Sequence, residues 1–214
     1  MTNASLDHIR DPDAIYAASF AAIREAADLS RIPDDLQGVA LRVAHAIGEA
    51  AAIDDLVWSE GAGTVGCKAL SAGAPIIVDA RMLADGVIRR ALPARNPVIC
   101  TLGIGTVTGN AARGATTRSA AAVDLWESFL AESVVVIGNA PTALYRLLEG
   151  LAQGWPKPAL IIGMPVGYVG AAESKAALVD LAPVPYIALQ GRRGGSAVAA
   201  ATVNALARDA APRP

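Results

Sequence analysis

The sequence predicts a three-layer α/β/α fold built on a mostly parallel sheet of about five strands, with residues 1–214 forming a single domain. Three observations lead there. Short apolar runs bounded by Gly or Pro recur at residues 75–79, 98–102, 133–137, 159–163 and 185–189. Each is apolar on both faces, the pattern of strands covered by helices on two sides. Helical stretches alternate with these runs, as they do where parallel strands are joined by crossovers. Finally, 53% of the residues are hydrophobic but only 4% are aromatic, so the apolar mass is Ala, Val, Leu and Ile, which suit close helix packing and buried strands. A chain of 214 residues can bury a core without disulfides, and neither a composition break nor a repeat marks a second unit.

The elements follow in order. A first helix is expected over residues 11–29, with Asp11 as N-cap, Pro12 at the first helical position, and Ile15, Ala18, Phe20, Ala22 and Ile23 as an apolar stripe. Ile32-Pro33 turns the chain, and Asp34 or Asp35 is placed to cap a second helix reaching about residue 50. Its apolar stripe is Leu36, Val39, Ala40, Val43 and Ile47, so at 3.6 residues per turn His45 projects to the opposite face, flanked by Arg42 and Glu49. Further helices are expected at 116–131, 141–151, 171–178 and 196–207. Ligands of open α/β sheets bind beyond the carboxyl ends of the strands. There the sequence places Gly138-Asn139-Ala140-Pro141-Thr142, Gly163-Met164-Pro165-Val166-Gly167 and Gln190-Gly191-Arg192-Arg193-Gly194-Gly195-Ser196, three turns aimed at helix N-termini, where backbone N–H groups hold anions.

Charge and composition exclude several classes. Eighteen basic against twenty acidic residues give a formal charge of −2, with no basic stripe of the kind nucleic acid requires. An anionic small molecule remains compatible, because a local pocket can be cationic on a near-neutral protein. Two distant cysteines, Cys67 and Cys100, make neither a disulfide framework nor a zinc site, which points to a reducing cytoplasm. The first eight residues lack the basic and apolar regions of a secretory signal. The uncharged stretches 97–112 and 158–172 are broken by Gly and Pro, so neither supplies the ~20 continuous apolar residues of a membrane span.

Among chemical motifs, Gly103-Ile104-Gly105-Thr106-Val107-Thr108-Gly109 follows a strand, but its third glycine comes one place too late for a dinucleotide loop. No P-loop and no G-x-S-x-G elbow occurs, and with only His8 and His45 there is no set of residues at metal-ligand spacing. His45 is either a solvated histidine with local charge partners or a proton-transfer group beside an anion-binding arginine; imidazole titrates near neutral pH and suits the second role. Arg192-Arg193 is either a solvated turn or a guanidinium clamp for carboxylate or phosphate. Thr117-Arg118-Ser119 is either a helix cap or a third anion-binding cluster.

Several stretches, in order, carry a family resemblance: Ile15-Tyr16-Ala17-Ala18-Ser19-Phe20, Arg42-Val43-Ala44-His45-Ala46-Ile47-Gly48, Gly73-Ala74-Pro75-Ile76 before Asp79, Thr117-Arg118-Ser119-Ala120-Ala121, Ile137-Gly138-Asn139-Ala140-Pro141-Thr142-Ala143-Leu144, Gly163-Met164-Pro165-Val166-Gly167-Tyr168-Val169-Gly170-Ala171-Ala172-Glu173-Ser174-Lys175, and Gly191-Arg192-Arg193-Gly194-Gly195-Ser196-Ala197. With them the chain resembles the precorrin-8X methylmutases, also called precorrin isomerases, of cobalamin biosynthesis, over almost its whole length. The resemblance implies a cofactor-free isomerase that moves a methyl group from C-11 to C-12 of a tetrapyrrole to give hydrogenobyrinate. It also implies a homodimer with its site near the subunit interface, His45 as proton donor and acceptor, and Ser19 and Arg42 as substrate contacts. The substrate is a polycarboxylate, so Arg118, Arg192 and Arg193, with Thr117 as a hydrogen-bond donor, are further candidate contacts on chemistry and position. Whether the ring carries cobalt is left open by the residues, with the overall resemblance leaning to the metal-free ring. Ile47 stands where the family usually has cysteine, and residues 103–113 depart from its pattern. The alternatives are a non-catalytic tetrapyrrole-binding protein, which has no use for the histidine, and a nucleotide-binding α/β domain, which NAD or ATP would stabilise.

Overall fold

The computed structural model describes residues 8–211; of the N-terminal stretch weighed as a secretory signal, Met1–Asp7 lie outside them. The elements are α1 (Pro12–Ala26), α2 (Gln37–Ile47), β1 (Leu56–Trp58), α3 (Ala62–Ser71), β2 (Ile76–Val78), α4 (Arg81–Gly86), β3 (Val98–Ile99), α5 (Thr106–Arg113), α6 (Arg118–Val123), β4 (Val134–Ile137), α7 (Pro141–Ala152), β5 (Leu160–Gly163), α8 (Ala171–Leu181), β6 (Tyr186–Leu189) and α9 (Ser196–Ala210). The strands form one six-stranded sheet in the order β1-β6-β5-β4-β2-β3. All pairings are parallel except β1 with β6.

All five expected strands are present, and the sixth, β1, is an antiparallel edge strand. Its three residues, Leu56-Val57-Trp58, are too short a run between Asp55 and Glu60 to carry a period. In the central strands, side chains alternate between faces as the pleat requires. Ile76, Val78, Val134, Val136, Leu160, Ile162 and Ile187 pack under α2, α3, α4 and α9. Ile77, Val135, Ile137, Ile161 and Ala188 pack under α7 and α8 and against Trp126. Both sets are buried, which is why these strands read as uninterrupted apolar runs. Among the described residues no helix is long and apolar enough to cross a membrane.

Three local expectations need correction. Neither Asp34 nor Asp35 caps α2, because Asp34–Leu36 form a 3-10 turn ahead of it. The Asp35 carboxylate instead accepts from the Thr64 N–H and hydroxyl at 2.8 and 2.9 Å, tying that turn to α3. Helix α2 stops at Ile47, where Gly48 takes a left-handed cap (φ 79°) and donates to the Ala44 carbonyl. The helix expected at 116–131 is broken: Thr117 caps α6, and the chain leaves the helix after Val123. The turn buries Trp126, whose indole N–H donates to the Thr101 hydroxyl at 2.8 Å. Helices α3, α4 and α5 lie outside the expected elements; at ten, six and eight residues each offers fewer than three turns in which a period can be read.

The chain leaves β2 for β3 on one side and returns to β4 on the other, so the strand order reverses between β2 and β4. Such a switch point opens a crevice at the carboxyl ends. Asp79, at the end of β2, closes this one from below. Its buried carboxylate accepts from the backbone N–H groups of Gly138, Asn139 and Ala140 at 3.0, 2.9 and 2.7 Å. Burial pushes its pKa up and the three N–H donors oppose that. The Gly138-Asn139-Ala140 turn therefore already holds an anion, the chain's own, and is not open to an external one. We predict that Asp79→Asn, which turns one acceptor into a donor facing these N–H groups, destabilises the fold by about 1–3 kcal/mol, read as a lower urea midpoint at unchanged m-value.

Candidate active site

Helix α1 lies outermost, laid across α2. The Asp11 carboxylate accepts from the Ala14 N–H at 2.7 Å and Pro12 opens the helix, as its sequence requires. None of its residues is buried, and Ile23 is the side chain that reaches the core beneath. On α2, Val39, Ala40, Val43 and Ala44 are buried while His45 faces outward toward α1. There the Ser19 hydroxyl lies 2.9 Å from His45 Nδ1. The rings of Tyr16 and Phe20 stand 5.8 and 5.6 Å from the imidazole, and the Arg42 guanidinium sits over Phe20 at 5.6 Å. Ser19, Ile23, His45 and Glu49 line an open hollow of about 280 Å³.

This setting is suited to moving a proton. A hydroxyl both donates and accepts, so Ser19 can donate to an unprotonated Nδ1 or accept from a protonated one. It orients the ring without adding a charge, leaving Nε2 as the nitrogen available to a ligand. Burial pushes the Arg42 pKa down, nearby Arg208 adds to this, and Tyr16 and Asp209 oppose it.

The wall beside His45 is braced from the far side. Glu49 accepts from the Arg193 guanidinium at 3.2 Å, and Asp55 stands 3.6 Å from the same group. The Arg193 carbonyl accepts from Lys175 Nζ at 2.6 Å, and Lys175, on α8, is 0% exposed. Burial pushes the Lys175 pKa down to about 8, with Asp55 opposing. Gly194 follows at φ 151°; a Cβ there would stand 2.3 Å from the Met164 carbonyl, so only glycine lets this loop press against the end of β5. Arg193 is thus already paired within the chain. Arg192 turns the other way and stacks over Tyr168 at 5.1 Å.

Thr117 caps α6 through the Ala120 N–H at 3.1 Å and shares a 2.8 Å hydrogen bond with the Thr142 hydroxyl. Arg118 reaches the Leu102 carbonyl at 3.5 Å. Among the described residues no hydrogen bond or ion pair joins Thr117 or Arg118 to Ser19, Arg42 or His45. The structure therefore gathers Ser19, Arg42 and His45, links Arg193 to them through Glu49, and leaves Arg192 on the loop after β6 and Thr117 and Arg118 at the start of α6. Sequence reasoning missed Tyr16 as a ring partner, although it stands one turn before Ser19. It also missed Lys175, which no local pattern distinguishes from a solvated helix lysine.

The precorrin-8X methylmutase family model matches residues 14–209. The chain belongs to this family. It is 58% identical over 205 residues to the precorrin-8X methylmutase of Pseudomonas aeruginosa, covering 95% of this chain and 99% of that one. It is 54% identical over 203 residues to the precorrin-8X methylmutase of a Sinorhizobium species, covering 94% and 97%. The crystal structure of the precorrin-8X methylmutase of Thermus thermophilus superposes with a TM-score of 0.84 at 39% identity, covering 92% of this chain and 96% of that one. Ile47 packs half-buried against the core.

The buried Lys175 makes a pH prediction. Its folded pKa, about 8, is depressed from 10.5, so the folded state holds fewer protons between these values and this group's contribution to stability is lost as pH falls through about 8. Relative to Lys175→Met, the wild type should gain about 1 kcal/mol of unfolding free energy per pH unit between pH 8 and 10 in urea titrations.

Proposed function

We propose that this protein isomerises precorrin-8X to hydrogenobyrinate in cobalamin biosynthesis, moving the methyl group from C-11 to C-12, with His45 as the proton donor and acceptor. The observation that carries this reading is the Ser19–His45 hydrogen bond of 2.9 Å at the mouth of an open hollow, which fixes an outward-facing imidazole. A methyl shift around a conjugated ring is an internal rearrangement. The new C–C bond replaces the broken one, and no electron leaves the ring. The enzyme has to hold the macrocycle and set its protonation state. His45 gives a proton to the ring system, the methyl group migrates, and the proton returns.

Ser19 and Arg42 contact the substrate beside His45. Arg118 and Thr117, at the start of α6, and Arg192, on the loop after β6, are further partners for its carboxylate side chains, and all three are exposed. Arg193, committed to Glu49 and Asp55, acts by shaping the wall of the hollow. The names of the Pseudomonas aeruginosa and Sinorhizobium relatives favour the metal-free ring. We take the chain as one domain, working in the cytoplasm as a homodimer. The exposed apolar side chains of α1, Ile15 at 44% and Tyr16 at 48%, support a second copy covering that helix.

Two predictions follow from this reading. His45→Ala should lower the turnover number for precorrin-8X at least about a hundredfold, followed by the absorbance change of the ring, while hydrogenobyrinate still binds. Turnover that survives the substitution would remove His45 from the mechanism. Ile15→Asp should convert the dimer to monomer in sedimentation equilibrium, with an unchanged far-UV spectrum.

A further inference from the structure

Beside Arg42, away from His45, lies a cleft of about 450 Å³ between the turn Arg89–Ala91 and the last turns of α9. Its polar walls are the side chains of Arg42, Arg90 and Arg208, and its apolar floor is Ile88, Leu92 and Pro93. Among the described residues, no carboxylate lines it. The wall is fixed in place. Asn204 accepts from the Ile88 N–H at 2.9 Å and donates to the Gly86 carbonyl at 2.9 Å, which pins the segment carrying Arg90 to α9. A smaller hollow of about 240 Å³ shares Arg42 and Arg208 and adds Arg24 and Asp209, the carboxylate that faces this group.

We propose that this cleft is a carboxylate subsite in which Arg90 and Arg208, together with Arg42, hold acidic side arms of the macrocycle whose reacting edge lies at His45. The inference rests on the function proposed above and deepens it. Continuity with the His45 site is built in, because Arg42 precedes His45 by three residues, about 4.5 Å of helix rise. An arm leaving the ring at His45 therefore meets Arg42 first and the cleft next. The chemistry fits the same ligand: guanidinium forks pair with carboxylates through two parallel hydrogen bonds, and the apolar floor accepts the methylene groups that carry them. Burial, and next the proximity of Arg208, push the pKa of the half-buried Arg42 down, with Tyr16 and Asp209 opposing. On a chain of formal charge −2, this concentration of positive charge is local to the cleft.

The test is steady-state kinetics on precorrin-8X and equilibrium binding of hydrogenobyrinate, using Arg90→Gln, Arg208→Gln, the double variant and Arg208→Lys. Each Gln substitution should raise KM and the product Kd about tenfold and change the turnover number less than threefold, with Arg208→Lys recovering part of the loss. A ring whose acidic arms are converted to amides should bind the wild type and the double variant equally. Unchanged KM and Kd in both single variants, or an equal loss of the amide ring, overturns the subsite while leaving the methyl transfer at His45 standing. A wild-type protein that neither binds nor rearranges the ring removes the proposed function, and the subsite with it.

Discussion

The sheet is buried on both faces, and this constrains where everything else can go. Each central strand spends its side chains on two apolar layers, which hold one titratable side chain, Tyr186 of β6, among the described strand residues. Chemistry is displaced to the carboxyl ends of the strands and to the outer surfaces of the covering helices. At the ends, the switch-point turn is filled by Asp79. On the outward face of α2, His45 meets Ser19. The proposed site therefore lies on the flank of the sheet, away from the turn that Asp79 occupies.

Helix α1 shows what that displacement costs. A fifteen-residue helix with no buried residue is marginal by its own hydrogen bonds. Its attachment consists of the Ser19–His45 bond, the Tyr16 and Phe20 ring contacts, Arg42 over Phe20, and the apolar contact of Ile23. Most of these contacts are also the site. Positioning of the imidazole and docking of α1 are therefore one equilibrium, and anything that covers the outer face of α1 also stiffens His45. A subunit partner or a flat macrocycle would do this equally well in physical terms, and under the proposed function the same few side chains would join assembly and catalysis.

Much of the scaffold was legible in the sequence. Five strands, the Asp11-Pro12 helix start and the outward direction of His45 follow from period, capping chemistry and turn residues. What escaped notice shares a physical cause. Helices α3, α4 and α5 are ten, six and eight residues long, fewer than three turns each, so too few residues are present for a period to show. The break after Val123 depends on Trp126 finding Thr101, twenty-five residues earlier, and no local pattern encodes that contact. Asp35 caps no helix of its own because Thr64 competes for it across a similar distance. Lys175 reads as a solvated charge until the Arg193 carbonyl is brought to it by the fold. Lengthwise pattern reports on elements, whereas partners between elements are set by topology.

The arginines carry this point into function. Arg192 and Arg193 are adjacent and chemically identical, yet the fold gives them different work. Arg193 finds Glu49 and Asp55 and becomes part of a wall, whereas Arg192 meets the face of Tyr168 and keeps its hydrogen-bond donors. Arg42, one turn from His45, stands over an aromatic ring with Arg208 near it. A guanidinium bound to a carboxylate of its own chain has little left for a ligand, while one stacked on a ring still presents its edge. What selects an anionic ligand is therefore the placement of the chain's own acids, which neutralise some arginines and spare others. A formal charge near zero is the sum over that division and conceals it. The same residue count with Glu49 and Asp55 exchanged to the Arg90–Arg208 side would leave the net charge untouched and, on the subsite proposed above, reverse which face would attract a polycarboxylate.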